Sequence, residues 1–318
     1  MRRLALLCAL VLLGSQRARA VSLVYELSPA PGGALRLVER GTPAERASIS
    51  AGLPDLEGAP AALTRWVDTA GRAVTSFYGR FPVPRATVSV HLVGRGAISG
   101  GHTVGDAEGA RVDVNVGPGL TREELDGDWV LTHELVHTAM PRLPRSATWL
   151  DEGLATYVEP IARARVGAGS ADKVWGDLGW GLPKGLPTAG DEGLDRTHTW
   201  GRTYWGGALF AFLADLELRA ASGNRVSLRE ALIGVLAEGG NVTVSWSLER
   251  VLGAMDRATR GTVLRDLHAR MGTAPVDPQV PAIFRRLGVT VSRSGVRYDD
   301  QAPLAATRRL LPTGDVVR

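Results

Sequence analysis

The stretch LTHELVHTAM, residues 131–140, carries two histidines four positions apart, with a glutamate directly after the first. On an α-helix, residues at i and i+4 lie on the same face one turn apart. His133 and His137 can therefore reach one metal ion at about 2 Å each, while Glu134 projects beside them. The spacing predicts a metal site with a neighbouring carboxylate. The alternative is a pair of polar histidines on an ordinary helix.

The type of metal follows from the side chains that the chain offers. The one cysteine, Cys8, lies in the N-terminal segment, so a metal further along the chain must be held by histidine and carboxylate. That donor set suits zinc, which lowers the pKa of a bound water toward neutrality. We expect one zinc ion, with Glu134 as the general base that takes the proton of the zinc-activated water.

A catalytic zinc needs a third protein ligand and an open position. Glu152, in TWLDEGLATYVE (148–159), is the favoured candidate. Prolines after the motif break its helix, and fourteen residues separate His137 from Glu152, enough for a turn and an antiparallel helix. Gly153 would let the two helices approach closely.

Two other acidic residues compete for the role of third ligand. Asp151 and Glu159 lie on the same segment, and an acidic residue in a first helical turn is also favoured by the helix dipole. The spacing nominates none of the remaining histidines, which are His91, His102, His198 and His268. Asp151, Thr156 and Glu159 are equally available to accept the second ring N–H of a ligating histidine.

HELVH followed by WLDEGLATYVE resembles the gluzincin zinc metallopeptidases, most closely their glycyl-aminopeptidase-like branch and the aminopeptidase-N relatives. The segment from Thr203 to Leu232 is similar to the region after the metal site in that branch. The resemblance implies that Glu152 is the third ligand. It also implies that Tyr204, with Gly207 three residues later, donates a hydrogen bond to the oxyanion. The alternative for Tyr204 is an interfacial tyrosine at a helix start.

The implied fold is α+β, a thermolysin-like zincin catalytic domain with a small mixed sheet, the HExxH helix and then a helical subdomain. The chain departs from the family pattern at two points. The spacing from the motif to Glu152 is shorter than in the aminopeptidases. In AISGGHTVGDAEG (97–109), His102 stands where an acid that binds a free amino terminus is expected, with Asp106 and Glu108 out of register. Aminopeptidase specificity is therefore disfavoured, and zinc-dependent hydrolysis is not.

Residues 1–20 begin with Arg2 and Arg3, followed by a short apolar run and the small-x-small sequence that ends at Ala20, which is typical of a cleaved secretory signal peptide. The alternative is an uncleaved anchor. Cleavage removes four arginines and no acidic residue, so the formal charge falls from +4 to zero. We therefore expect a secreted or periplasmic protein with no nucleic-acid partner and no stable membrane insertion.

The rest of the chain divides into three predicted parts. Residues 21–57 form a small N-terminal β segment with a hairpin, 58–290 the catalytic domain, and 291–318 a tail or hairpin. In the catalytic domain we expect a helix over 61–81, strands over 86–93 and 110–116 joined by a glycine-rich loop, and then the motif helix, which ends at Pro141.

Four more local predictions concern helix starts and one long segment. Thr121 with Glu124 and Ser227 with Glu230 have the spacing of capping boxes, and the Thr148 hydroxyl could cap the second helix. Residues 165–201, which contain Trp175, Trp180 and Trp200, are predicted to be a long irregular excursion. The tryptophans would wall an apolar subsite or fill a core lobe, and the sequence favours neither.

The function that these observations favour is a secreted zinc metallopeptidase whose partner is a peptide or protein substrate. The alternative is a catalytically quiet peptide- or ligand-binding protein on a gluzincin scaffold. A purely structural metal site conflicts with three ligands, since structural zinc normally has four. The oligomeric state and the substrate side chains stay open.

Overall fold

The computed structural model describes residues 21–317. The predicted signal peptide at 1–20 lies outside the described residues. Within the described range, none of the helices has the length and apolar character needed to cross a bilayer.

The N-terminal half contains a mixed sheet of five strands, which are β1 (Ser22–Pro29), β2 (Leu35–Glu39), β3 (Ala86–Leu92), β4 (Ile98–Asp106) and β5 (Gly109–Val116). Their order in the sheet is β2-β1-β3-β5-β4. The predicted hairpin is present, and its first strand also pairs antiparallel with β3. Parallel pairing joins β3 to β5, and β4 lies antiparallel to β5 at the edge.

Alternation of apolar residues explains the strands that the sequence predicted. Leu23, Tyr25 and Leu27 on β1 are fully buried, and the residues between them are partly exposed. On β5, Val112 and Val114 are buried in the same way. Each strand therefore turns one face toward the helices that cover the sheet.

Two elements of this half were not predicted. Residues 98–106 form strand β4 instead of a glycine-rich loop, because their backbone groups pair with β5 although the side chains are small. Helix α1 (Pro43–Gly52) lies within the predicted β segment and is started by a capping box between Thr42 and Glu45. The predicted order of helix, strand, strand and motif helix therefore lacked strand β4.

Helix α2 (Ala59–Tyr78) follows the predicted helical periodicity and packs against α4 and α5, the two helices that carry the motif and Glu152. The capping box of Thr121 and Glu124 is confirmed, but it starts a separate short helix, α3 (Arg122–Gly127). Extended backbone at Asp128 separates α3 from α4 (Val130–His137). The Asp128 carboxylate accepts hydrogen bonds from the first two amides of α4.

The motif helix ends at His137, before the predicted end at Pro141. The next helix, α5 (Thr148–Arg165), starts where the sequence predicted. The proposed cap is wrong, because the Thr148 hydroxyl donates backward to the Arg145 carbonyl. A single 3₁₀ turn, Arg145–Ala147, leads into α5.

The prediction of an irregular excursion over 165–201 is also wrong. Helix α6 (Ala171–Gly181) occupies its middle and is capped by Ser170, and a 3₁₀ turn, Leu182–Gly185, follows. Val174, Trp175 and Leu178 form its buried face, so this helical periodicity was present in a segment whose many glycines suggested a loop.

The C-terminal half is helical, and the Ser227–Glu230 capping box is confirmed at the start of α8. A hairpin of two short strands, β6 (Val289–Ser292) and β7 (Gly295–Tyr298), is present as predicted. The protein is thus α+β, with a small mixed sheet followed by a helical part. The helices of this part are α7 (Gly207–Ser222), α8 (Leu228–Ala237), α9 (Leu248–Thr259), α10 (Val263–Met271), α11 (Val280–Leu287) and α12 (Ala305–Leu310).

Candidate metal centre

Helices α4 and α5 bring together three side chains that could hold a metal ion. The Nε2 atoms of His133 and His137 lie 3.3 and 3.5 Å from Oε2 of Glu152. One donor atom from each of the three residues lies within 4.8 Å of the others. His133 is buried, and the other two side chains open onto a cavity.

These donors fit a zinc ion in both chemistry and spacing. Two imidazole nitrogens and one carboxylate oxygen are ordinary zinc ligands with bond lengths of about 2.0–2.2 Å. Tetrahedral ligands at that radius are separated by roughly 3.3 Å, close to the nitrogen–oxygen distances measured between the histidines and Glu152. The side of the cluster that faces the cavity provides room for a further ligand.

Asp151 orients one of the two histidines. Its Oδ1 lies 2.9 Å from Nδ1 of His137, so the Nδ1 proton is donated to Asp151 and Nε2 faces Glu152. Burial opposes the charged form of His137, but Asp151 and Glu152 outweigh it and raise its pKa well above the usual value. Burial likewise opposes ionisation of Glu152, yet hydrogen bonds with His133 and His137 lower its pKa to about 2. The carboxylates of the cluster therefore favour a positive charge at this position.

Glu134 lies beside the cluster and is held from the sheet. The hydroxyl of Thr103 on β4 lies 2.7 Å from Oε2 of Glu134 and 2.8 Å from its backbone carbonyl oxygen. A Cβ on Gly101 would come within 2.6 Å of the Glu134 Cγ, so glycine makes room for this side chain. Strand β4 thus fixes both the position and one hydrogen bond of the carboxylate.

Tyr204 reaches the same cavity from a π-helical turn, Gly201–Gly206, that leads into α7. Its ring stacks near that of His133, with 6.3 Å between centroids. Burial, and then the negative charges of Glu152 and Glu134, raise the pKa of Tyr204, so the phenol keeps its proton and remains a donor. π-Helical turns are often found at functional sites.

Close backbone packing fixes the position of this turn relative to α5. A Cβ on Gly153 would come within 2.2 Å of the Gly207 carbonyl carbon, so these glycines let α5 and α7 touch. The sequence predicted a close approach at Gly153, but between α4 and α5. Buried Arg202 also anchors the turn, because its Nε lies 2.7 Å from Oδ2 of buried Asp191.

The cavity above the cluster has a volume of about 400 Å³. Strand β4 forms one wall, from Gly101 to Gly105, and Arg142 closes one end by donating to the Gly105 carbonyl. His102 lines this wall, and no acidic residue of β4 does so among the described residues. The carboxylates in the cavity come from α4 and α5 and are Glu134, Asp151 and Glu152.

The competing candidates lie elsewhere or have other partners. Glu159 is buried against Arg163, 3.3 Å away, and is not part of the donor cluster. His91 pairs with Asp113, and His268 pairs with Asp195. Trp129 is 52% exposed at the N-terminal end of α4.

Sequence reasoning missed Thr103. It lies 31 positions before Glu134, and the contact depends on how the edge strand packs against α4. The only available signal was the alternation Gly101, Thr103, Gly105 of small residues, which would have pointed to a strand with one face close to other backbone.

No family model matches this sequence, and no curated protein matches it. Among solved structures, the chain is similar to a mutant of an M1 zinc metallopeptidase from Deinococcus radiodurans, with a TM-score of 0.46 and 17% sequence identity. The match covers 80% of this chain and 53% of the other, so the chain spans about half the length of that protein.

Proposed function

We propose that the protein is a zinc-dependent metallopeptidase of the gluzincin type. In this proposal His133, His137 and Glu152 hold one zinc ion, Glu134 is the general base and Tyr204 the oxyanion donor. The observation that carries the proposal is the position of Glu134. Its carboxylate is fixed by Thr103 beside a three-donor cluster that leaves one side open to a cavity. A structural zinc site, in which four protein ligands leave no open position, does not need a general base beside it.

Zinc bound to the cluster would supply Lewis acidity, polarising the scissile carbonyl and lowering the pKa of the attacking water. Glu134 takes the proton of that water and delivers it to the leaving amine as the peptide bond breaks. Tyr204, whose pKa is raised, keeps its proton and donates a hydrogen bond to the carbonyl oxygen as negative charge develops there. Asp151 holds His137 in the tautomer that the site needs.

The geometry supports peptide hydrolysis better than recognition of a free amino terminus. Edge strand β4 can pair with an extended substrate backbone along one wall of the cavity. The part of this strand that lines the cavity carries His102 and Thr103 and no carboxylate to bind an ammonium group. We therefore assign a peptide or protein substrate. Export through residues 1–20 remains a prediction from the sequence.

The test compares the zinc-loaded protein with Glu134→Gln on a mixed peptide library read by mass spectrometry. We expect both proteins to contain one zinc per chain by metal analysis, and the variant to lose at least about a hundredfold in rate, since general-base catalysis contributes roughly 10²–10⁴-fold. Glu249→Gln, which changes an exposed glutamate on α9, serves as the matched control and keeps full activity. Full activity in Glu134→Gln would overturn the mechanism. A zinc-loaded wild type that cleaves no peptide would favour a binding protein.

A further inference from the structure

Three exposed tryptophans line one cleft beside the candidate metal centre. Trp129, Trp180 and Trp200 are 52%, 56% and 62% exposed, the largest exposures among the bulky apolar side chains described. They come from separate parts of the chain: the start of α4, the end of α6 and the residue before the π-helical turn. Convergence of large apolar rings on one exposed site is unusual for a surface that serves only folding.

This aromatic cleft, defined by Trp129, Trp180, Trp200 and Trp205, has a volume of about 470 Å³. That lies within the range of roughly 300–1,000 Å³ that is typical of small-ligand sites. Pro160 and Gly181 complete its apolar surface. The cleft therefore has room for a large side chain and apolar surface to receive it.

The cleft adjoins the cavity above the cluster, since His133 and Tyr204 line both. Trp129 meets the His133 ring edge-on at 5.6 Å between centroids, and Trp200 stacks on Tyr204 at 6.0 Å. A peptide whose carbonyl lies near Tyr204 thus places a neighbouring side chain among the tryptophans.

The walls of the cleft are held in place by close packing. A Cβ on Gly181 would lie 1.9 Å from the Trp205 ring. A Cβ on Gly185 would lie 2.2 Å from the backbone carbonyl carbon of Trp205. Glycines at these positions let α6 and the turn after it press against Trp205, and Lys184 lies over the ring at 5.5 Å. A preformed wall spares a ligand the cost of ordering it.

The charges around the cleft are largely neutralised. Lys173 forms an ion pair with Asp177 at 2.6 Å, and Glu159 is buried with its Oε1 3.3 Å from Arg163. Among the described lining residues, Lys184 is the charge without such a carboxylate partner, and it lies against an aromatic face. Exposed aromatic rings beside charges that already have a partner favour an apolar occupant over a charged one.

We infer that the aromatic cleft is a specificity subsite that takes a large apolar or aromatic side chain of the peptide substrate, next to the bond that is cleaved. This inference rests on the proposed peptidase function and deepens it. Burial of a Phe or Leu side chain contributes enough to favour such substrates over alanine by about tenfold to a hundredfold.

The first measurement is the cleavage profile of the zinc-loaded wild type on a degenerate peptide library. We expect Phe, Trp and Leu to be enriched at one position flanking the cleaved bond. With two peptides that differ there only as Phe or Ala, the ratio of kcat/KM should be at least about tenfold, and Trp180→Ala should reduce it about tenfold. Trp180→Phe, which keeps a ring, should restore most of it. Val317→Ala removes part of another exposed apolar side chain, outside the cleft, and should leave the ratio unchanged.

A second measurement separates failure of this inference from failure of the proposed function. Calorimetry measures binding of the same two peptides to zinc-loaded Glu134→Gln, with and without Trp180→Ala. Hydrolysis without a Phe preference in the wild type overturns the subsite and leaves the peptidase standing. Phe-dependent binding that needs Trp180, in a protein that hydrolyses nothing, supports the cleft and overturns the peptidase. Absence of both overturns both. If sedimentation shows that Trp180→Ala dissociates a dimer while the Phe preference is unchanged, the occupant is a second copy and the subsite is overturned.

Discussion

At the residue scale, the hydroxyl of Thr103 ties the candidate base to the sheet. Thr103→Val keeps the shape of the side chain and removes its hydrogen bond to Glu134. We expect kcat to fall about tenfold to a hundredfold with KM changed less than about twofold, because a misplaced base affects the reaction more than binding. Steady-state kinetics on one peptide measures both values.

Thr103→Ser is the matched control for this substitution, because it returns the hydroxyl and should restore most of kcat. A loss of kcat in the serine variant, with full kcat in the valine variant, would mean that the methyl packing, and not the hydrogen bond, matters at this position.

Asp151 contacts His137, one of the proposed zinc ligands. Asp151→Asn keeps the size of the side chain but weakens its 2.9 Å contact with Nδ1. Loss of such an orienting partner typically costs 10–100-fold in metal affinity. We expect zinc to be removed from the variant at a correspondingly lower chelator concentration, measured by competition with a fluorescent chelator. Unchanged zinc affinity would remove Asp151 from the metal site.

How much of the site the sequence predicts depends on how local each contact is. His133, Glu134 and His137 lie within one helical turn, so their spacing alone places them on adjoining faces. Glu152 needed the resemblance as well, because the nearby Asp151 fitted the spacing equally well. The contact of Thr103 with Glu134 is fixed by the register of an edge strand and its packing on a helix, which local periodicity does not encode.

At the scale of elements, periodicity predicted α2, β1, β3 and β5, where apolar residues recur without interruption. It failed for β4, which consists mainly of small residues, and for α6, whose glycines suggest a loop although Val174, Trp175 and Leu178 recur at helical spacing. In both cases tertiary contacts provide the stabilisation that local preference does not: β4 pairs with β5, and the buried face of α6 packs into the core.

The contact between α5 and α7 leads to a stability prediction. Gly153→Ala introduces a methyl group that would lie 2.2 Å from the Gly207 carbonyl carbon, and the atoms it meets are backbone atoms that have little room to move. We expect the free energy of unfolding to fall by about 1–3 kcal/mol or more, as overpacking usually costs. Activity should fall too, because the helices separate next to Tyr204. Urea unfolding with the activity of the folded fraction tests both.

The chain offers a matched control in Gly176 on α6, where the nearest atom to an added Cβ is 3.9 Å away. Gly176→Ala has no clash and removes the helix penalty of glycine, so it should stabilise by about 0.5–1 kcal/mol. Equal effects of the two substitutions would show that the close approach of α5 and α7 does not limit the size of the side chain at position 153.

At the scale of the whole molecule, buried Glu159 couples stability to pH. Burial raises its pKa to about 8, and Arg163 at 3.3 Å offsets only part of that effect. In the unfolded chain a glutamate ionises near pH 4.3. Between about pH 4.5 and 8 the folded state therefore holds a proton that the unfolded state has lost. This group lowers the free energy of unfolding by about 1.4 kcal/mol for each pH unit of rise across that window.

Glu159→Gln imitates the protonated carboxyl at every pH and removes this dependence. We expect the variant and the wild type to have similar stability near pH 5, and the variant to be the more stable near pH 8. The measurement is urea unfolding of the metal-free proteins at several pH values. Other titrating groups cancel in the difference between the two proteins, and Glu249→Gln, an exposed substitution, should follow the wild type. If the wild type and Glu159→Gln lose stability in parallel, Glu159 is ionised in the fold and forms a buried ion pair with Arg163.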